Sequence, residues 1–237
     1  AKEALDMLVQ KDEGKDYRQA AMLDINGSVD AFTGLKCIES AGHYVGKNFS
    51  VQANMMLNDK VIPSMKKAFL ENSKLPLAER IIKVFEAAES VGGDIRGKQS
   101  AALIVVGSKK TDDIWKDKKI DLRVDDSENP VKEIKRLLKV HRAYEHMNNG
   151  DLAIEENNME AALKEYSKAQ NLFPENVEMS FWKAVTMINN NKIEDAKLIL
   201  KKVFQKNNNW RTLIFRLVDS ELISLEKAEL EKLLNDI

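Results

Sequence analysis

Apolar positions along this chain follow two different periods, and the change of period divides it. The first half alternates short apolar runs with turn residues. Ala4, Leu5, Leu8 and Val9 give one helical face over Ala1–Gln10, with no capping residue before it. Tyr17–Leu23 and Ser28–Phe32 read as strands joined by Asn26–Gly27, a two-residue hairpin signal. His43–Val45 and Phe49–Asn54 read as two more strands around Gly46–Lys47–Asn48. Two helices follow. The first is capped by Asn58 or Asp59, with Val61, Ile62, Met65, Ala68 and Phe69 as its stripe. The second starts near Pro76, with Leu77, Ile81, Val84, Phe85 and Ala88, and ends at Gly92–Gly93, where glycine permits positive φ. The run Ala101–Val106 has the length of a buried strand. After a polar excursion over Gly107–Lys118 that carries Trp115, Lys119–Val124 alternates Ile120, Leu122 and Val124 against Asp121, Arg123 and Asp125. Hairpins, a helix pair, then more strands predict an α+β layered domain over residues 1–128.

From Asn129–Pro130, a helix start with proline at the first helical position, the period becomes 3.6 and stays there. Shifting the chain by 34 residues aligns Met147 with Phe181, Gly150 with Ala184, Ile154 with Ile188, Ala162 with Ala196, Tyr166 with Leu200, and Ala169 with Val203. That period, the small residues Gly150, Ala162 and Ala169, and Pro174 closing the unit resemble a tetratricopeptide repeat. Two copies are fewer than a free-standing array needs, so helices over Trp210–Val218 and Leu225–Ile237, the latter capped by Ser224, are expected to close the stack. Residues 129–237 are thus expected to form an all-α domain of two repeats and a helical cap.

Composition changes the picture mainly by exclusion. Charged residues make up 32% of the 237 and apolar ones 43%, an ordinary balance for a folded chain. The net charge of −1, from 37 basic and 38 acidic residues, offers no field for nucleic acid. Cys37 is the single cysteine, so an internal disulfide and a multi-thiolate zinc site are both excluded. His43, His141 and His146 are too scattered for a metal cluster, and no metal or other cofactor is expected. No run reaches the length of a membrane span.

The densest chemistry lies in Val91–Val106, VGGDIRGKQSAALIVV, where Asp94, Arg96, Lys98, Gln99 and Ser100 precede an apolar strand. Loops hung on buried strands are where sites are commonly built. Gln52 and Asn54, two apart on one strand, share a face and are candidate oxyanion donors; satisfying a sheet edge is the other reading. Asp94, Ser100, Gln52 and Asn54 are the catalytic candidates. His43, Arg96, Gln99 and Arg123 are the substrate-binding candidates. Asp94 with Arg96 equally reads as a structural ion pair, and Asp121, Arg123 and Asp125 as a paired cluster on a strand.

The segments AFTGLKCIESAGHYVGKNFSVQANMM, GGDIRGKQSAALIVV and DLRVDDSENPVKEIKRLL resemble the bacterial family known as domain of unknown function 1028, in register over roughly residues 1–144. That resemblance implies an N-terminal-nucleophile (Ntn) hydrolase-like fold of stacked antiparallel sheets with flanking helices. It also implies further strands upstream of Ala1, where a targeting signal would lie, and export to the periplasm is expected. Ala1 has no nucleophilic side chain, so N-terminal-nucleophile chemistry is not available to the chain as it stands. The functional expectation is an amide-bond hydrolase or a degenerate, inactive relative. The alternative is a non-catalytic module that binds a peptide or protein partner on its repeats. A homodimer is also among the expected partnerships.

Overall fold

The computed structural model describes residues 1–235 and 237, which divide into two compact units, Ala1–Leu138 and Lys139–Ile237. The first is α+β. Helix α1 (Lys2–Lys11) precedes the antiparallel hairpin β1 (Gln19–Leu23)–β2 (Val29–Thr33), and a second hairpin follows, β3 (Gly42–Gly46)–β4 (Phe49–Ala53). Helices α2 (Val61–Glu71) and α3 (Leu77–Ser90) come next, then the third hairpin, β5 (Ala101–Val106) and β6 (Lys118–Val124), with the short α4 (Ile114–Asp117) between its strands. Each sheet among the described residues is two-stranded.

The first hairpin turns differently from a two-residue loop. Leu23 pairs with Val29, Asp24 N–H donates to Ser28 O, and Gly27 N–H donates to Asp24 O. Three residues therefore form the loop, with Gly27 at φ 79° and the Asp24 carboxylate accepting from the Asn26 and Ser28 amides. A type I turn followed by a left-handed glycine matches strand twist as well as the two-residue turns do. The second hairpin does turn on two residues, Lys47 and Asn48, with Asn48 at φ 64°.

The α3 stripe agrees with the expected one at Ile81, Val84 and Phe85 and differs at its start. Ala78, Ile82 and Val84 are buried whereas Leu77 is half exposed, because α3 faces β5–β6. Its cluster joins Ala78 and Ile82 to Leu103, Ile120, Val124, Ile134 and Leu138. Phe49 of β4 stacks on Phe69 of α2, centroids 4.2 Å apart, and the Arg80 guanidinium lies 3.4 Å over that Phe69 ring. The strand Ala101–Val106 is covered on one face only: Leu103 is buried, but Ile104 and Val106 are 55% and 63% exposed. A continuous apolar run signals two covered faces, and here the second face has no layer against it among the described residues. Trp115 lies outside this core, 74% exposed.

The cap expectations shift by a few residues. Asn58 bonds the Lys60 amide at 3.0 Å and the Val91 carbonyl at 2.7 Å, holding the turn before α2, not the helix itself. Ser224 donates its backbone N–H to Asn189, while Glu226 and Glu229 form the capping box of α10 (Lys227–Leu234).

Helix α5 (Pro130–Glu155) contributes Ile134 and Leu138 to the first unit's core and Ala143 and Met147 to the second unit's. The second unit continues with α6 (Met159–Leu172), α7 (Val177–Asn189), α8 (Ile193–Lys206), α9 (Asn209–Asp219) and α10. Pairs aligned by the 34-residue shift are buried together: Met147 with Phe181, Ala162 with Ala196, Tyr166 with Leu200, and Ala169 with Val203. Gly150 is required by contact, since a Cβ there would stand 2.5 Å from the Tyr166 ring. The Tyr166 hydroxyl donates to Asp151 at 2.5 Å, so the buried ring leaves its polar end satisfied. Asn158 and Asn176 cap α6 and α7 through their side chains. Phe181 packs against Trp182 edge-on and against Trp210, at 5.3 and 4.7 Å between centroids.

Ala162 is fully buried at the α5–α6 crossing. Ala162→Leu is expected to destabilise the chain by about 1–3 kcal/mol through overpacking, read as a lower urea midpoint; an unchanged midpoint would remove the close-crossing account.

Candidate functional site

The chain between α3 and β5 must reverse and then run beside β4, and left-handed backbone makes that path. Gly92 and Gly93 take φ 119° and 60°, and Met55, just past β4, takes φ 62°. Leu57 N–H donates to Gly93 O and Ile95 N–H to Met55 O, closing an antiparallel bridge between Met56 and Asp94. This bridge sets the end of β4 next to the polar loop. Met55 is not a glycine, and its conformation costs on the order of 1 kcal/mol, held by the two flanking bonds.

Beyond the bridge the loop opens a cleft of about 750 Å³. Asp94, Arg96, Gln99 and Ser100 line it together with Glu89 and Lys98. The Asp94–Arg96 pair is bidentate, Nε to Oδ1 at 2.9 Å and Nη2 to Oδ2 at 2.6 Å, and the Arg96 amide also donates to Oδ1 at 2.9 Å. The Arg96 hydrogen bonds hold the Asp94 carboxyl below the ordinary aspartate range, against a smaller opposing effect of burial. Lys98 pairs with Glu89 at 3.1 Å. Both carboxylates at the cleft thus carry cationic partners, and the four charges sum to zero.

A second cluster sits across the first two hairpins. His43 on β3 faces Gln52 on β4 in register. Its Nδ1 is 2.8 Å from Thr33 Oγ1, at the end of β2. Gln19 Nε2 reaches Thr33 Oγ1 at 2.9 Å and the carbonyls of Gly42 and Ala53 at 3.0 Å each. The two carbonyls identify that atom as the amide nitrogen. The Thr33 hydroxyl accepts from Gln19 and shares a further hydrogen bond with His43 Nδ1, whose direction follows the imidazole tautomer. Gln52 Oε1 and Asn54 Oδ1 are buried without a partner among the described residues, so each amide oxygen keeps its accepting capacity.

The candidate residues therefore fall in four places. Asp94, Arg96, Gln99 and Ser100 share the cleft; His43 and Gln52 share the hairpin cluster; Asn54 stands between them, two residues before the bridge. Arg123 is on neither, being exposed on β6 and paired with Asp125 at 2.8 Å. Thr33 and Gln19 are the members that periodicity did not single out. Among the described residues no group of three or more histidine, cysteine or acidic side chains has the geometry of a metal site, and no helix is long and apolar enough to cross a membrane.

Three comparisons bear on this arrangement. The model of a family of unknown function (DUF1028) matches residues 1–134, and a tetratricopeptide repeat model matches residues 153–218. The crystal structure of protein SPO2555 from Silicibacter pomeroyi, matched by the same DUF1028 model, is similar with a TM-score of 0.51 and 27% identity, covering 58% of this chain and 56% of that one. This chain accordingly spans little more than half of that relative's length. Among curated proteins none matches.

Because its folded pKa is depressed, Asp94 stabilises the fold above its ordinary pKa of about 4, and that contribution is lost as pH falls through the folded value. Carboxyl-detected NMR is expected to show Asp94 titrating below the ordinary aspartates, and Arg96→Met to return it towards them. An unmoved titration would show that the pair does not form in solution.

Proposed function

We propose, from the premise that this chain belongs to the family of unknown function DUF1028 and carries tetratricopeptide repeats behind that region, that it is a recognition protein built on an Ntn-hydrolase-like scaffold. In this reading the cleft binds a peptide-like segment without cleaving it. One observation carries the choice: both Asp94 oxygens are taken by Arg96. A general base needs a free lone pair aimed at the proton it removes. Arg96 fills three of the roughly four acceptor sites of the Asp94 carboxylate and holds its pKa down, which weakens it as a base; Glu89 is paired with Lys98, and Ser100 has neither imidazole nor carboxylate bonded to it among the described contacts. What remains suits a ligand that is polar and uncharged overall. Paired charges and the Gln99 amide can donate to and accept from peptide groups, while the zero net charge of the rim gives no preference for an anion or a cation.

The repeats supply a second binding surface in the same reading. Tetratricopeptide repeats commonly mediate protein interactions, and stacked helix pairs present extended surfaces to peptides or partner proteins.

A hydrolase reading is favoured by a different observation, the 2.8 Å contact of Thr33 Oγ1 with His43 Nδ1. In the tautomer whose Nδ1 carries no proton the hydroxyl donates to the imidazole, which is the first half of a nucleophile–base pair. The two readings separate in one experiment. The full chain is incubated with a panel of p-nitroanilides and p-nitrophenyl esters and, in parallel, probed against a peptide array. Binding without turnover is expected, with Arg96→Ala weakening peptide capture by about tenfold through loss of charge-assisted hydrogen bonds. Turnover that both His43→Ala and Thr33→Val abolish would replace recognition by hydrolysis, and peptide capture indifferent to Arg96→Ala would move the binding site away from the cleft.

A further inference from the structure

Strand β6 has β5 as its single strand neighbour, which leaves its other edge without a strand among the described residues. Such an edge presents unpaired backbone donors and acceptors, and its side chains decide what can pair with it. The charges here are arranged in a specific way. Reading outward from Leu122, Asp121 mirrors Arg123 and Lys119 mirrors Asp125; one step further, Lys118 mirrors Asp126. Each mirrored pair is of opposite sign, and all six side chains are exposed.

A segment that is charge-antisymmetric about its centre is complementary to a second copy of itself running antiparallel. Two copies related by a two-fold axis through Leu122 set Asp121 opposite Arg123 of the partner within β6, twice, and bring Lys119, at the bulge near the start of the strand, towards the partner's Asp125, which follows its end. Directly opposed residues in antiparallel strands have Cβ atoms about 4.5–5.5 Å apart, within ion-pair reach. The two-fold axis is the symmetry that most homo-oligomers use.

We infer that the free edge of β6 pairs with β6 of a second copy of this chain, joining two β5–β6 hairpins into one four-stranded antiparallel sheet. The ion pairs now on that strand, Lys118–Asp121 at 2.6 Å and Arg123–Asp125 at 2.8 Å, would exchange for intermolecular ones. Exposed pairs of that kind contribute little, so giving them up costs little. The β5 edge does not offer the same pairing, because AALIVV carries no charge to fix a register. This inference is independent of what the cleft binds, so either can fail without the other.

The test uses the full chain and sedimentation velocity across the micromolar range at low and physiological salt. The wild type is expected to self-associate to a dimer, more weakly as salt rises. Asp121→Arg and Arg123→Asp each oppose like charges twice, and each is expected to weaken self-association by about tenfold or more, with unchanged circular dichroism. Two results then specify the register. The double variant Asp121→Arg/Arg123→Asp keeps the antisymmetry and is expected to dimerise like the wild type. An equimolar mixture of the two single variants is expected to form a heterodimer, since every opposed pair becomes complementary. A monomeric wild type, single variants that dimerise unimpaired, or single variants that stay apart when mixed would each overturn the proposal.

Discussion

The bridge between Met56 and Asp94 is the constraint on which the first unit's polar chemistry depends. Two hydrogen bonds, Leu57 to Gly93 and Ile95 to Met55, tie a loop that follows a helix to residues that follow a strand. Without them the segment from Gly92 to Ser100 would be held mainly at its ends, by the Asn58 bond to the Val91 carbonyl and the Ser127 bond to the Gln99 carbonyl. Glycine makes the bridge possible on one side, at Gly92 and Gly93. Met55 pays for it with a left-handed backbone on the other. The same bridge also fixes the separation between the cleft and the hairpin cluster, because Asn54 is two residues before it.

Pairing, not accumulation, governs the electrostatics throughout. The cleft charges cancel, and along β6 and just past its end the pairs Lys118–Asp121 and Arg123–Asp125 cancel as well. A net charge of −1 over 237 residues is the bulk expression of that habit. It leaves little long-range field to steer a charged partner.

The helical unit was legible in the sequence because its periodicity repeats: residues at one crossing have counterparts 34 positions away, and both members are buried in pairs such as Ala162 with Ala196 and Tyr166 with Leu200. The strands of the first unit were legible as segments, through turn residues at Gly27 and Asn48. Their burial was less so. Ala101–Val106 reads as covered on both faces, yet Ile104 and Val106 are exposed, because composition reports what a strand can bury and not how many layers lie against it. The cleft residues were legible as a cluster because they are contiguous in sequence. The link from Thr33 to His43 was not, since it joins the end of one hairpin to the start of the next. Its only local trace was a hydroxyl residue before Gly34 at a strand end. Gln19 is harder still: its role lies in three acceptors contributed by β2, β3 and β4.

The three tryptophans divide unevenly between the two units. Trp182 and Trp210 pack on Phe181 inside the helical unit, whereas Trp115 already stands in solvent beside β6. Indole emission depends on how far each ring is removed from water, so unfolding the helical unit shifts the spectrum while loss of the hairpins leaves it almost still. A melting curve followed by tryptophan emission is a record of the helical unit. The β-containing unit needs a separate reporter, such as amide exchange along β5, before its own cooperativity comes into view.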